Sequence, residues 1–195
     1  MTSHLPMLLC LAILAGLLGA ALWQDLRTRR IPNRLVLWGT VAGLALNSML
    51  PAGAGLFQQP FGGLGLLQSL AGAAAGLALL LPMYLLRALG AGDVKLMAMC
   101  GAFLGPLAVL EAVLLTLLAG GVLAIVAALL GRRLRQVLKN AYYMMLGTLL
   151  QSLAGGPAAV AEPPAVTGKL AYAFAIASGT GLQIFLTYNH LWSLR

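Results

Sequence analysis

The feature that most constrains this chain is a run of 39 residues, 93–131, that contains only three charged side chains. A helix that crosses a hydrocarbon layer about 30 Å thick needs about 20 apolar residues, so the run is too long for one crossing. Gly105-Pro106 and Glu111 mark the expected reversal, because proline and a charged side chain both suit a membrane boundary. The run therefore predicts two membrane-spanning helices, over about 94–109 and 111–131.

The rest of the chain also consists mostly of long apolar segments joined by short connections. The composition agrees, since 61% of the residues are hydrophobic and 8% are charged, whereas soluble domains carry roughly a quarter of charged residues. A shorter amphipathic stretch, 140–153, predicts a helix that lies in the membrane interface. We therefore expect an all-α polytopic membrane protein with about six transmembrane helices, folded as a single transmembrane domain over 1–195. The four further spans are expected over about 5–26, 35–50, 64–86 and 170–188.

Glycines recur at four-residue spacing within several of these helices. The pairs are Gly39 with Gly43, Gly72 with Gly76, and Gly101 with Gly105. Small residues at this spacing allow two helix backbones to approach closely inside a membrane. We expect these glycines to lie at helix contacts.

The distribution of lysine and arginine predicts the orientation. If the N-terminus lies outside, all twelve basic residues except Arg195 fall on the cytoplasmic side, as the positive-inside rule requires. A seventh span over 140–153 would exchange the sides of Lys169 and Arg195 and agree with the rule equally well, so the span count stays open. This topology accounts for the net charge of +8, and it predicts contact with membrane lipids and no binding of nucleic acid.

Two aspartates are the candidates for chemistry. Asp25 ends the first predicted helix and Asp93 opens the fourth, so both arrive at the same face of the membrane. Two neighbouring carboxyl groups can share one proton, and such a pair hydrolyses a peptide bond without a metal ion. Each aspartate also has an ordinary alternative role, an ion pair of Asp25 with Arg29 or a helix cap at Asp93.

No metal site or other cofactor is expected. Cys10 and Cys100 both lie inside apolar runs. They form no Cys-x-x-Cys pair and have no histidine at the spacing of a zinc site.

The helix dipole favours the ionised form of Asp93 at the start of its helix, so we expect Asp25 to hold the shared proton.

The sequences around both aspartates resemble those of type IV prepilin peptidases. Asp25-Leu-Arg-Thr-Arg-Arg-Ile-Pro-Asn-Arg-Leu35 is similar to the family's first block, and Gly90-Ala-Gly-Asp-Val-Lys-Leu96 is similar to the second, the GxGD motif of aspartyl proteases. Residues 169–177 are similar to the family's late helix. The resemblance implies that Asp25 and Asp93 are catalytic. It also implies that the enzyme cleaves the leader peptide of prepilin-like precursors at the cytoplasmic face of the bacterial inner membrane.

The chain departs from the larger members of that family. Those enzymes carry a cytoplasmic segment with paired cysteines after the first helix, and they also methylate the new N-terminus. Here this connection has about eight residues, 27–34, and no cysteine. The chain is closer to the short, peptidase-only enzymes of tight-adherence (Flp) pilus systems.

Several residues beside the aspartates are candidates for positioning. Gly90 and Gly92 allow a sharp turn and the close approach of a peptide backbone. Lys95 is two residues from Asp93 and so points away from it on a helix, which favours a place at the membrane interface over a part in catalysis. A structural task, ending the first helix and opening the second, is expected of Ile31, Pro32 and Asn33.

Two other functions use the same aspartates. A presenilin-like intramembrane protease would cut inside a helical substrate rather than at the cytoplasmic edge. A small transporter would use Asp25 and Asp93 as proton or cation sites. Transporters commonly contain internal repeats, and this sequence has none that we recognise.

Overall fold

The computed structural model describes residues 5–50, 63–86, 89–131, 139 and 172–189. The described elements are all helices, which confirms the predicted all-α fold. The predicted interfacial helix at 140–153 lies outside the described residues. The elements are α1 (Leu5–Thr28), α2 (Asn33–Met49), α3 (Leu66–Leu85), α4 (Ala91–Leu104), α5 (Pro106–Leu130) and α6 (Tyr172–Tyr188).

Three of the described helices are long and apolar enough to cross a membrane by themselves. These segments are Leu8–Thr28 in α1, Leu66–Leu85 in α3 and Pro106–Ala127 in α5. The other described helices are shorter, with 17 residues in α2 and α6 and 14 in α4. The protein is thus a polytopic membrane protein, and the count of six spans stays a prediction.

The reversal between α4 and α5 lies at Gly105-Pro106. Gly105 has a φ of 82°, a conformation that suits glycine at the end of a helix, and Pro106 is the first residue of α5, where its missing N–H is harmless. The prediction that Glu111 also marks the reversal is wrong. Glu111 lies inside α5 with 6% of its surface exposed, and its carboxylate accepts a hydrogen bond from Gln183 Nε2 at 3.2 Å.

The chain divides into two compact units. One unit comprises residues 1–120 and 171–195, and the other comprises residues 121–170. The first unit contains both aspartates and the buried core. The described part of the second unit is the end of α5 together with Gly131 and Lys139. The single peptidase domain expected from the sequence stays a prediction.

Helix α4 is the centre of the first unit. Nine of its fourteen residues are buried, and it packs against α3, α2, α6 and α1. The contact with α3 depends on glycine. A Cβ atom on Gly72 would collide with the carbonyl oxygen of Gly101, and one on Gly76 would lie 2.6 Å from the carbonyl oxygen of Met97. The expected close packing at these glycines is confirmed.

Buried polar groups join α2, α3 and α4 at the end of α4 opposite Asp93. Asn47 donates from Nδ2 to the carbonyl oxygen of Ala102 at 2.8 Å, and its Oδ1 accepts the N–H of Leu64 at 3.2 Å. The hydroxyl of Ser69 donates to the same Ala102 carbonyl. Since a buried polar group is costly unless it is hydrogen-bonded, these bonds fix how the three helices align.

Candidate active site

Asp25 lies in the last turn of α1 and is buried, with 7% of its surface exposed. The helix ends just beyond it, where Arg29 adopts a φ of 54°. The Arg29 N–H donates to the Asp25 carbonyl oxygen at 2.9 Å, which closes the last turn. Pro32 is then extended and precedes Asn33, the first residue of α2. The chain therefore turns back directly after Asp25, as the predicted role of Pro32 and Asn33 requires.

Asp93 lies in the first turn of α4, which begins two residues earlier than Asp93 rather than at 94 as the sequence predicts. The Gly90 N–H donates to Asp93 Oδ2 at 3.1 Å, and the Asp93 N–H donates to the Gly90 carbonyl oxygen at 3.1 Å. A Cβ atom at residue 90 would lie 3.2 Å from Asp93 Oδ2. Gly90 thus gives the carboxylate both a donor and space.

Gly92 and Ile31 hold the two aspartate-bearing turns together. A Cβ atom on Gly92 would lie 3.2 Å from the Cβ atom of Ile31, so the start of α4 packs closely on the segment between α1 and α2. Ile31 is also part of the margin of the buried core. The connection that follows Asp25 therefore rests on the turn that carries Asp93.

The N-terminus of α6 completes the site. The Ala173 N–H donates to Asp25 Oδ2 at 3.3 Å, so a backbone donor of α6 faces this carboxylate. The neighbouring Tyr172 lies within electrostatic range of Asp93. Its ring occupies space over Gly120, where a Cβ atom would lie 2.7 Å from Tyr172 Cε2.

Tyr172 and Ala173 were not singled out from the sequence, although they fall in the 169–177 stretch that resembles the family's late helix. A backbone N–H leaves no mark on the residue type, and one tyrosine in an apolar helix is ordinary. The resemblance was the only available signal for this part of the site.

The charge of Asp25 acts on the carboxyl group of Asp93. Asp93 lies in the first turn of α4, outside the three long apolar segments of α1, α3 and α5, and burial raises its pKa to about 6; the Gly90 N–H lowers this pKa and the charge of Asp25 raises it. The expectation that Asp93 is the ionised partner considered the helix dipole alone. Desolvation acts in the opposite direction and is the larger effect, so Asp93 exchanges its proton close to neutral pH.

Lys95 lies away from both aspartates. Its Nζ donates to Asn33 Oδ1 at 3.1 Å, which links α4 to the start of α2, and its side chain is exposed. The structure therefore brings together Asp25, Asp93, Gly90, Gly92 and Ile31. It places Lys95 on another face of α4, where its side chain is hydrogen-bonded to Asn33 of α2.

Metal-binding groups are sparse in the described part of the chain. No three His, Cys, Asp or Glu side chains lie together there, and Cys10 and Cys100 are buried free thiols. The site as described is a pair of carboxyl groups supported by backbone donors from two helix ends.

Comparison with known proteins adds one match. The sequence model that describes the type IV leader peptidase family matches residues 12–129, a range that covers more than half of the chain and includes both aspartates. Searches of curated proteins and of solved structures found no match to this chain.

Proposed function

Because the chain belongs to the type IV leader peptidase family, it is a peptidase, and we propose that it is an aspartyl endopeptidase with Asp25 and Asp93 as its catalytic pair. The observation that carries this proposal is the meeting of two partly or fully buried carboxyl groups from helices far apart in sequence. The charge of one raises the pKa of the other. If Asp93 were only a helix cap, or Asp25 only the partner in a surface ion pair, a second carboxylate close by would destabilise the fold.

The surroundings of the two aspartates favour different roles in hydrolysis. Asp25 accepts the Ala173 N–H of α6, which stabilises its ionised form, and it is the proposed base that takes a proton from the attacking water. Asp93, with a pKa of about 6, is the proposed acid that polarises the scissile carbonyl. The tetrahedral intermediate collapses when the leaving amine takes a proton from the pair. The two carboxyl groups together again hold one proton after the products leave.

The proposed substrate is the precursor of a prepilin-like protein, cut at its leader peptide. The distribution of lysine and arginine supports a site at the cytoplasmic face of a bacterial inner membrane. Gly90 is exposed and lies beside the Asp93 carboxylate, so a substrate backbone can approach there without meeting a side chain. The short, cysteine-free connection between α1 and α2 supports a peptidase-only enzyme of the Flp type.

The test is cleavage of a co-expressed Flp-type precursor, followed by gel shift. We expect Asp25→Asn and Asp93→Asn each to reduce cleavage by at least about 100-fold, the usual contribution of a general acid or base. The matched control is Glu111→Gln, which neutralises another buried carboxyl group of the first unit while keeping an oxygen to accept the Gln183 bond. It should cleave like the wild type.

Two results separate the alternatives. If either asparagine variant reaches the membrane at the normal level and still cleaves near the wild-type rate, the aspartyl mechanism is wrong. N-terminal sequencing of the product then locates the cut. A cut inside the transmembrane segment of the precursor would favour an intramembrane protease instead of a leader peptidase.

A further inference from the structure

A groove of about 640 Å³ lies between α2, α3 and α4. Its walls are apolar and include Leu37 of α2 with Ala74 and Leu77 of α3. Its rim at one end is formed by Asn33, Arg34 and Lys95. The groove is open on one side, and Leu37 and Leu77 are exposed, so it opens toward the surroundings of the protein rather than into the core.

The groove is separate from the candidate active site. Neither Asp25 nor Asp93 is among the residues that line it. Lys95, two residues after Asp93 on α4, turns away from the aspartates and toward Asn33. A peptide seated in the groove would therefore contact a different set of residues from those around the two aspartates.

The rim is positively charged and the groove is not. Arg34 and Lys95 are exposed, and the polar contact of Lys95 among the described residues is with the neutral amide of Asn33. The described residues that line the groove include no carboxylate. From Asn33 to Thr40, α2 rises about 10 Å, so two cations stand at the membrane face and an apolar channel leads inward from them.

We propose that this groove binds an anionic phospholipid, whose phosphate lies between Arg34 and Lys95 and whose acyl chain lies along Leu37, Ala74 and Leu77. Basic pockets between transmembrane helices favour anionic headgroups at the membrane face. An apolar channel beneath such a pocket matches the acyl chain of the same molecule. A transmembrane helix, about 10–12 Å wide with its side chains, would pair with the two cations only if it carried an acidic residue at that level.

The test uses the purified full-length protein in detergent with an equimolar mixture of phosphatidylglycerol and phosphatidylcholine, and native mass spectrometry counts the lipids retained. We expect the wild type to retain one phosphatidylglycerol in preference to phosphatidylcholine. Arg34→Gln should weaken this binding about fivefold, the effect of one cation on an anionic lipid. Ala74→Phe should abolish retention of the lipid by filling the channel.

Each variant has a matched control. Arg30→Gln removes an exposed arginine at the same membrane face, and Ala78→Phe adds a phenyl ring one turn along α3; neither residue lines the groove. Both controls should retain phosphatidylglycerol like the wild type. Equal retention of the two lipids by the wild type, or unchanged retention by Arg34→Gln and Ala74→Phe, would refute the proposal.

A photo-crosslinking amino acid at Leu37 identifies the occupant in cells. Crosslinks to lipid support the proposal. Crosslinks that are predominantly to the co-expressed precursor would overturn it and make the groove a substrate-docking site. Because the lipid measurement needs no substrate, its result is independent of whether the aspartyl peptidase assignment holds.

Discussion

Asp93→Asn should stabilise the protein at neutral pH while it removes catalysis. Burial raises the pKa of this carboxyl group from 3.8 to about 6, so the folded state disfavours the charge relative to the unfolded chain. The difference corresponds to about 1–3 kcal/mol at neutral pH, the lower value allowing for solvent that still reaches the carboxyl group. Asparagine avoids this loss, and its Oδ1 can still accept the Gly90 N–H.

The effect has a definite pH dependence. Below about pH 3 the carboxyl group is neutral in both the folded and the unfolded states, and the wild type and the variant should be equally stable. As the pH rises to about 6, the unfolded chain releases its proton before the folded protein does, so the wild type loses stability. Above about pH 6 the folded protein is ionised as well, and the difference stays constant.

The assay follows thermal unfolding with a thiol-reactive dye. Cys10 and Cys100 are free and buried, so they react only when the helices separate. At about pH 7.5 we expect Asp93→Asn to raise the Tm by on the order of 5 °C, since each kcal/mol shifts the Tm of a chain of this size by about 2–4 °C. Near pH 3 the shift should vanish. Arg30→Gln, an exposed charge at the same face, should change the Tm little at either pH.

The sign of the shift decides between the two roles of Asp93. If the carboxylate were only a helix cap, its negative charge at the start of α4 would be stabilising. Asp93→Asn would then lower the Tm at about pH 7.5, and the reasoning from burial would be refuted.

Two further predictions use neighbouring residues as controls. Gly120→Ala should slow leader cleavage because its Cβ would displace the ring of Tyr172, which precedes the Ala173 donor to Asp25. Gly121→Ala, which has nothing within 4 Å of the added atom, should cleave normally. Equal rates in a gel-shift time course would contradict a role for the ring position. Asn47→Ala should lower the stability by about 1–2 kcal/mol because it leaves the Leu64 N–H unpaired, whereas Ser48→Ala on the exposed face of α2 should be neutral. Thermal unfolding of both variants measures this, and equal Tm values would show that the Asn47 bonds contribute nothing.

Most of the helices could be predicted from the sequence because apolar runs report directly on membrane-spanning segments. The predicted ends of the first three helices lie within two residues of the observed ends. The boundary between α4 and α5 was misplaced because Glu111 was interpreted as a boundary charge. Its partner Gln183 lies 72 residues away, and no local pattern indicates that a carboxylate will be buried against a distant amide.

The candidate site, like the helices, could be predicted from the sequence only in part. Asp25 and Asp93 could be proposed from the sequence because so few acidic residues are present, and the charge of Asp25 raises the pKa of Asp93. Their roles remain proposals. The contribution of Ala173 could not be predicted, because a donor from the main chain depends on where the first turn of α6 lies and not on which residue occupies it.

Backbone N–H donors explain how this protein holds two carboxyl groups that are largely removed from solvent. Each aspartate accepts a backbone N–H: Asp93 from Gly90, just before α4, and Asp25 from Ala173 in α6. A lysine or arginine in place of these backbone donors would hold both carboxyl groups ionised. The proposed catalytic pair, which shares one proton, would then lose its acid. Backbone donors stabilise a carboxylate more weakly, so burial can still raise the pKa of Asp93 to about 6.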